Sequence, residues 1–358
     1  MRRARTLTSG RTWTGPTIYT STATTKSIWL RATTVSASSI WMASCWRAGA
    51  SRARRQASLP TARMGCGWIL KGTYTWRKCP SSTTGSRSSR RYEAGGRQKG
   101  RYMLSDQQID HFRTFGFLLL PQLFCADEIG EIRRAADELW RAERGGGPSQ
   151  GEYQHVAPFI ESSRDLSGLV EDDRIYLTVE QLLGAGFVWG GSEGNKGSFN
   201  DTQSHEWHCD RPGEEEPDYV RIKVMLYLTP TKKEAGALRV MPGSHRKPFY
   251  EQLERLNHIQ SKPEVMPFGV PGPDLPGCAL EVEPGDAVFF NQYLYHAVFG
   301  KQTDRRYIAL KFAAKPTLAR HYEGLKKHGA FSFHRSFVDL ARPRIRQMTE
   351  LLPAEDWP

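Results

Sequence analysis

The segment HEWHCD, residues 205–210, holds the side chains of this sequence best suited to metal chemistry. In an extended chain, residues two apart project from the same side, so His208 and Asp210 point together and Cys209 points away. An imidazole beside a carboxylate supplies two of the three ligands of the 2-His-1-carboxylate triad that holds non-haem iron. One further histidine is needed to complete such a site. If no further histidine joins them, His208 and Asp210 bind no metal and are simply two surface side chains that hydrogen-bond to each other.

Further motifs follow HEWHCD in a specific order. They are GALRVMPGSH at residues 236–245, EPGD at residues 283–286, then His296, and then the adjacent pair Arg305 and Arg306. This ordered set resembles the phytanoyl-CoA dioxygenase family of Fe(II)- and 2-oxoglutarate-dependent oxygenases. The resemblance extends from Leu104 to about residue 316.

The resemblance implies a ligand set and cosubstrates. It makes His208, Asp210 and His296 the ligands of Fe(II), with 2-oxoglutarate and O₂ as cosubstrates. It also implies that an arginine after the distal histidine pairs with the distal carboxylate of 2-oxoglutarate, an anion that suits the planar guanidinium fork. The interval from His296 to the arginines is short for the family, and no small Gly, Ser or Asn turn follows His296. The anchor is therefore either Arg305 or Arg306.

Strand alternation distinguishes the two arginines. In the strand predicted over residues 307–312, Arg306 shares a face with apolar side chains that we expect to pack against outer helices. Arg305 lies on the mixed face, which should look into the barrel, so Arg305 is predicted to be the anchor and Arg306 a surface charge. The strand predicted over residues 220–228 alternates in the same way. If its mixed face looks inward, Lys223 and Tyr227 line the cosubstrate pocket.

The implied reaction converts 2-oxoglutarate to succinate and CO₂ while oxidising a small organic molecule. Hydroxylation of an unactivated C–H bond is the expected outcome, and the carboxylate of Asp210 leaves no vacancy for a halide, which disfavours a halogenase. Two other interpretations stay open. One is a cupin-like metalloenzyme that uses the triad without 2-oxoglutarate, and the other is a non-catalytic small-molecule-binding protein on the same fold.

Four other polar residues of these motifs are assigned structural roles. His245 is, by resemblance, a turn residue, and His205 lies off the ligand face of its strand. Asp286 is expected to shape the turn before the next strand, and Cys209 to be a small packing residue.

The elements that must position these residues begin with helices. Ser105 and Gln108 form a capping box for a short helix that carries Phe112, and residues 117–120 form a predicted buried strand. Helices are predicted over residues 126–144 and 174–183. From Phe187 onward, short β-runs alternate with turn residues, and strands are predicted over residues 220–228, 237–241, 279–283, 287–290 and 307–312.

Helices followed by many short strands predict an α+β protein built on a β-sandwich or barrel. Combined with the family resemblance, this pattern predicts a double-stranded β-helix, the jelly-roll or cupin-like fold, with helices backing one sheet. Residues 246–278, rich in Pro and Gly, are predicted to leave the sheet and to be the lid or specificity element.

The net charge of +12 comes from one end of the chain. Residues 1–102 hold 20 Lys and Arg against the single acid Glu93, whereas residues 103–358 hold 30 Lys and Arg against 37 acidic residues. The mildly acidic body argues against a nucleic-acid partner. No stretch approaches the roughly 18 consecutive apolar residues of a transmembrane helix, so no membrane role is expected. We expect a small-molecule substrate, and the oligomeric state stays open.

Residues 1–102 admit three interpretations, namely a transit peptide, a basic disordered arm, or translation outside the proper reading frame. The last is favoured because the segment lacks Asp, Asn, His and Phe altogether. We therefore expect a leader outside any domain up to residue 102, a start at Met103, a dioxygenase domain over residues 103–320, and a C-terminal extension over residues 321–358 that packs on the domain or trails it. Three widely spaced cysteines in the body favour a reducing compartment and hence a cytoplasmic location.

Overall fold

Two antiparallel β-sheets lie at the centre of the fold in the computed structural model of this chain. The structure describes residues 103–198, 204–211, 219–261, 266–300, 304–327, 335–338 and 342–352. The leader expected at residues 1–102 lies outside these residues, and its interpretation stays a prediction. Across the described ranges, no helix is both long enough and apolar enough to cross a bilayer.

The elements have the following bounds. The strands are β1 (Phe117–Leu120), β2 (Gln154–Val156), β3 (Val188–Lys196), β4 (His205–His208), β5 (Arg221–Tyr227), β6 (Ala235–Val240), β7 (Cys278–Leu280), β8 (Ala287–Asn291), β9 (His296–Gly300) and β10 (Arg306–Ala313). The α-helices are α1 (Asp106–Phe115), α2 (Ala126–Glu143), α3 (Asp173–Leu183), α4 (Phe249–Leu253), α5 (Ala319–Lys327), α6 (Arg335–Val338) and α7 (Pro343–Thr349). Short 3₁₀ helices cover Ile160–Ser162, Leu166–Glu171, Glu254–Ser261 and Gly272–Asp274.

The strands are wound as a jelly roll. The larger sheet has the order β1-β8-β5-β10-β3-β2, and the smaller sheet has the order β4-β9-β6-β7. From β3 onward, consecutive strands mostly alternate between the two sheets, and β10 pairs with both β3 and β5. This arrangement is a double-stranded β-helix with helices added, which confirms the predicted α+β class and fold.

Helices cover the outer face of the larger sheet. The predicted capping box of α1 is present, since the Ser105 hydroxyl accepts a hydrogen bond from the Gln108 backbone N–H and the Gln108 side chain accepts one from the Ser105 N–H. Gly116 ends this helix at φ 82°, where a β-carbon would lie 2.5 Å from Nδ1 of His245. Only glycine therefore allows the tight turn into β1.

Alternation along β5 and β10 sorts their side chains between two cores. The apolar residues on one face of each strand join the core beneath the helices, and they are Ile222, Val224, Leu226, Ile308, Leu310 and Phe312. Met225, Tyr227 and Tyr307 point between the two sheets instead. The mixed faces therefore look into the barrel, as the sequence predicted.

A separate layer covers the smaller sheet. α4 and the 3₁₀ helix Glu254–Ser261 place Tyr250, Leu253 and Leu256 against Trp207 of β4 and the aromatic residues that precede β9. The segment predicted to leave the sheet thus forms, in its first half, a packed support.

The sequence did not predict β2, β3 or β9 as separate strands. β3 reads VWGGSEGNK, and its glycines and polar residues hide the alternation that marks a half-buried strand. In the C-terminal part, α5 begins at Ala319 and so crosses the boundary expected at residue 320. Leu325, Phe337 and Ile345 of α5, α6 and α7 lie in the core beneath the helices.

Candidate metal centre

The three predicted metal ligands meet at the edge of the smaller sheet. His208 ends β4, His296 begins β9, and these two residues are directly paired in the β4–β9 ladder. Asp210 lies in the bend after β4, and its backbone N–H donates to the carbonyl oxygen of Gln292 at 3.0 Å. Strand pairing therefore joins the HEWHCD segment to a histidine from a distant part of the sequence.

The ligand atoms are close enough to share one ion. Oδ1 of Asp210 lies 3.6 Å from Nε2 of His296 and 3.9 Å from Nε2 of His208, and all three atoms fall within 4.8 Å of one another. The side chains of His208 and Asp210 are 18% and 19% exposed. His296 is more deeply buried, at 5% exposure.

Hydrogen bonds select the tautomer of each histidine. Nδ1 of His208 donates to the carbonyl oxygen of Glu206 at 2.6 Å, and Nδ1 of His296 donates to that of Leu294 at 2.9 Å. The lone pair of each imidazole then lies on Nε2, the atom that faces Asp210. Burial lowers the pKa of both histidines, that of His296 to about 3, although the charge of Asp210 acts in the opposite direction. Both rings are therefore neutral, as metal ligation requires.

Lys223 holds the other oxygen of the carboxylate ligand. Its Nζ lies 3.4 Å from Oδ2 of Asp210, while Oδ1 is left facing the two histidines. Burial alone would raise the pKa of Asp210, but the charge of Lys223 outweighs it and holds that pKa far below its usual range. The ligand is an anion with one oxygen held by a cation and the other available to a metal.

A second carboxylate extends this contact into a chain of charges. Nζ of Lys223 lies 3.6 Å from Oε2 of Glu193 on β3, and Nζ of Lys311 on β10 contacts Oε1 of the same carboxylate. Burial raises the pKa of Glu193, but the two lysines outweigh that effect and lower it to about 2. Sequence reasoning missed Glu193, because no alternation marked β3 and its pairing with β10 is not local.

Removing the shared cation should destabilise the protein. Lys223→Met leaves Asp210 and Glu193 as buried neighbours without their common counter-ion, and breaking a buried pair in this way costs about 3–5 kcal/mol. We expect urea unfolding, measured with a chelator present, to show this decrease in the free energy of unfolding. Excess Mn²⁺ should recover part of it, because the ion neutralises Asp210.

Lys232→Met is the matched control for this measurement. Lys232 pairs with Glu283 at 2.7 Å, but both side chains are more than half exposed. An exposed pair contributes at most about 1 kcal/mol. Equal losses of unfolding free energy in the two variants would mean that the chain of charges around Lys223 does not stabilise the fold.

The two candidate anchoring arginines have different environments. Arg306 is fully engaged, donating to both oxygens of Asp137 at 2.9 and 3.0 Å and to both oxygens of Asp304 at 2.9 and 3.0 Å. Arg305 is buried at 6% exposure, and its Nε and Nη2 have no hydrogen-bond partner in the described part of the chain. Its guanidinium lies 4.5 Å from the ring centre of Tyr307 and 5.8 Å from that of Tyr227.

A small pocket opens beside Arg305. It is lined by polar side chains and one glycine, namely Tyr153, Asn195, Gly197, His205, Arg305 and Tyr307. Among the described residues no carboxylate lines this pocket, so an anionic group that enters it would meet the buried cation of Arg305. His205, the histidine predicted to lie off the ligand face, contributes to this pocket rather than to the ligand set.

The remaining predicted residues have structural contacts. Tyr227 is fully buried between the sheets, and burial raises its pKa to about 12. Asp286 accepts hydrogen bonds from the backbone N–H groups of Gln122 and Glu283 at 2.7 and 2.8 Å, which fixes the turn before β8. His245 packs against Gly116, away from the ligands.

These donors suit a divalent transition metal. Two imidazole Nε2 atoms and one carboxylate oxygen are the donor set of the 2-His-1-carboxylate sites that hold non-haem iron, and together they would supply three protein ligands to such an ion. His208, Asp210 and His296 are the only such grouping of histidine, cysteine and carboxylate ligands found among the described residues. Arg305, just before β10, adds a candidate anion site, because its Nε and Nη2 have no partner among the described residues.

Comparison with known proteins gives one family and several distant relatives. The sequence model of the phytanoyl-CoA dioxygenase family matches residues 112–307. The ectoine dioxygenase of Streptomyces coelicolor is 28% identical over 145 residues, which is 37% of this chain and 48% of that protein. The ectoine dioxygenase of Bordetella parapertussis is 26% identical over 184 residues, 48% of this chain and 59% of that protein. The chain thus spans about half the length of these curated relatives.

Solved structures show similarity at low sequence identity. The non-heme alpha ketoglutarate dependent carbocyclase SnoK from nogalamycin biosynthesis is 20% identical, with a TM-score of 0.46 over 59% of this chain and 84% of that one. HygX from Streptomyces hygroscopicus with nickel and 2-oxoglutarate bound is 20% identical, with a TM-score of 0.48 over 59% of this chain and 87% of that one.

Proposed function

We propose, because this chain belongs to the phytanoyl-CoA dioxygenase family, that it is an Fe(II)- and 2-oxoglutarate-dependent dioxygenase. Its expected reaction is hydroxylation of an unactivated C–H bond in a small organic molecule, with release of succinate and CO₂. The observation that carries the proposal is the pairing of two features. A triad of neutral imidazoles and a carboxylate lies in the same barrel as buried Arg305, two of whose nitrogens have no hydrogen-bond partner among the described residues.

The state of Arg305 favours a dianionic cosubstrate. A buried cation without a counter-ion is costly, and a site keeps one only where a ligand completes it. The distal carboxylate of 2-oxoglutarate supplies the missing anion, and a guanidinium fork binds it in a bidentate manner. Lys223, another cation on the inner face, is already shared between Asp210 and Glu193.

Each residue of the site has a separate role in the proposed reaction. Nε2 of His208, Nε2 of His296 and Oδ1 of Asp210 would hold the metal, and Lys223 keeps Oδ2 of Asp210 turned away. Bound iron together with 2-oxoglutarate would supply the activation of O₂ and the oxidising power for the C–H bond. Buried aromatic side chains, among them Phe290 at 5.0 Å from the ring of His296, exclude water from one side of the site.

Ectoine is the first substrate to test. The two relatives described above are named ectoine dioxygenases, and their similarity covers less than half of this chain. We therefore propose a small polar molecule as the substrate class and place ectoine first in a panel.

The test measures succinate formed by the full chain. We expect 2-oxoglutarate turnover that requires both Fe(II) and O₂, with slow turnover alone and faster turnover when the correct substrate is added. A protein that binds Fe(II) tightly, yet never binds 2-oxoglutarate in an anaerobic titration, would contradict the proposal. That result would favour the cupin-like metalloenzyme without 2-oxoglutarate, and absence of turnover with every substrate would favour a binding protein.

A further inference from the structure

We propose that Asn257 is a positioning residue of the metal centre, acting from behind the sheet on both chain segments that carry the ligands. It lies in the 3₁₀ helix Glu254–Ser261, within the segment that the sequence marked as a candidate lid. The proposal rests on the metal centre of the proposed function. It does not require that 2-oxoglutarate be the cosubstrate.

The side chain of Asn257 bridges the two ligand segments directly. Its Oδ1 accepts a hydrogen bond from the backbone N–H of Cys209 at 3.1 Å, and its Nδ2 donates to the hydroxyl of Tyr295 at 2.8 Å. Cys209 stands between two of the ligands, and Tyr295 immediately precedes the third. One amide group therefore ties the HEWHCD bend to the start of β9.

Tyr250 of α4 adds a second contact to the same bend. Its hydroxyl donates to the carbonyl oxygen of Arg211 at 3.2 Å and lies 3.5 Å from Sγ of Cys209. The rings of Tyr250 and Tyr295 are 5.6 Å apart, and both side chains are buried. Burial raises the pKa of both tyrosines, so their hydroxyls stay protonated at neutral pH.

The bend needs a support because the sheet holds it weakly. Among the described strands β4 lies at the edge of its sheet and pairs with β9 alone, and its register shifts between His205 and His208. Asp210 lies past the end of the ladder, so the sheet alone does not fix the direction of its carboxylate. Hydrogen bonds to the backbone on either side of a ligand set its position, and such supporting contacts are typically worth 10- to 100-fold in metal affinity.

The decisive variant is Asn257→Leu, which keeps the volume and removes both hydrogen bonds. We expect the Kd for Co²⁺ of the full chain to rise about 10- to 100-fold and the d–d absorption of bound Co²⁺ to change in position or intensity. Asn257→Asp should keep most of the wild-type Co²⁺ affinity and absorption. Its carboxylate can accept hydrogen bonds from the Cys209 N–H and from the Tyr295 hydroxyl, which turns to donate. A merely structural role would lower Tm without changing the Co²⁺ spectrum.

Two further variants keep the test interpretable. Arg255→Ala, in the same 3₁₀ helix, removes a side chain that lies over the ring of Phe268 and contacts neither ligand segment in the structure. It should leave the Co²⁺ affinity within about twofold. Tyr295→Phe removes only the hydroxyl that receives the Asn257 amide, and it should weaken Co²⁺ binding even if Asn257→Leu does not fold.

The outcomes separate this proposal from the proposed function. Wild-type affinity and an unchanged spectrum in Asn257→Leu or, where that variant does not fold, in Tyr295→Phe would overturn the positioning role. Wild-type protein that binds Co²⁺ but never binds 2-oxoglutarate would overturn the cosubstrate assignment and leave the role of Asn257 intact.

Discussion

His296→Ala is expected to lower the affinity for Fe(II) by more than about 100-fold. Loss of a residue that only supports a ligand already lowers metal affinity by about 10- to 100-fold, and His296 is itself a predicted ligand. The substitution removes one of the three donors and also the buried ring that lies 4.3 Å from that of His208. Succinate formation should fall below detection. Asp210→Ala should behave in the same way, since it removes the only anionic ligand of the triad.

The fold should survive these changes. The β4–β9 ladder is made by backbone groups, which the alanine variants retain. Iron per chain, measured after desalting, should be close to one in the wild type and close to zero in both variants, with circular dichroism unchanged. His205→Ala is the control for histidine loss and should keep its iron. Full iron occupancy in His296→Ala would remove that residue from the ligand set.

Arg305→Ala is expected to weaken 2-oxoglutarate binding by about tenfold to a hundredfold, because a hydrogen bond to a charged group contributes about 1.5–3 kcal/mol. Arg306→Ala should change the same affinity by less than about threefold, or under about 0.7 kcal/mol. The reason is the geometry described above. Arg305 has two nitrogens without a partner in the part of the chain that the structure describes, whereas Arg306 is paired with Asp137 and Asp304.

The measurement is an anaerobic titration of metal-loaded protein with 2-oxoglutarate. Pyruvate, which has the keto acid but no distal carboxylate, serves as an internal control and should bind the wild type and Arg305→Ala equally. If Arg306→Ala has the larger effect, the side-chain direction at the start of β10 is the reverse of the one described, and the anchor lies on the other face.

Local patterns were sufficient for much of the fold. The capping box of Ser105 and Gln108 predicted the start of α1, and alternation along β5 and β10 predicted which side chains enter the barrel. These features depend on neighbours within a few residues, and the physics that sets them is visible in a short window of sequence. The order of motifs, compared with a family, supplied the expectation that distant His296 joins the ligand set.

The contacts around the ligands required the structure. The partners of Lys223 were not predicted, because Glu193 lies on a strand whose glycines conceal its pattern. Asn257 was also missed, since its two hydrogen bonds reach across 48 and 38 residues to Cys209 and Tyr295. Such contacts arise from the packing of separate layers, and a single sequence carries no periodic signal for them.

The position of β10 between β3 and β5 has a consequence for how the protein is made. As the chain leaves the ribosome, β3 and β5 emerge early, yet the strand that joins them ends only at Ala313. Until then two strand edges stay open, and open edges invite pairing with other chains. The metal cannot be captured before β9 is complete. We therefore expect substitutions that weaken the pairing of β10 with β3 or β5 to lower the yield of correctly folded protein. The activity of each correctly folded molecule should be less affected.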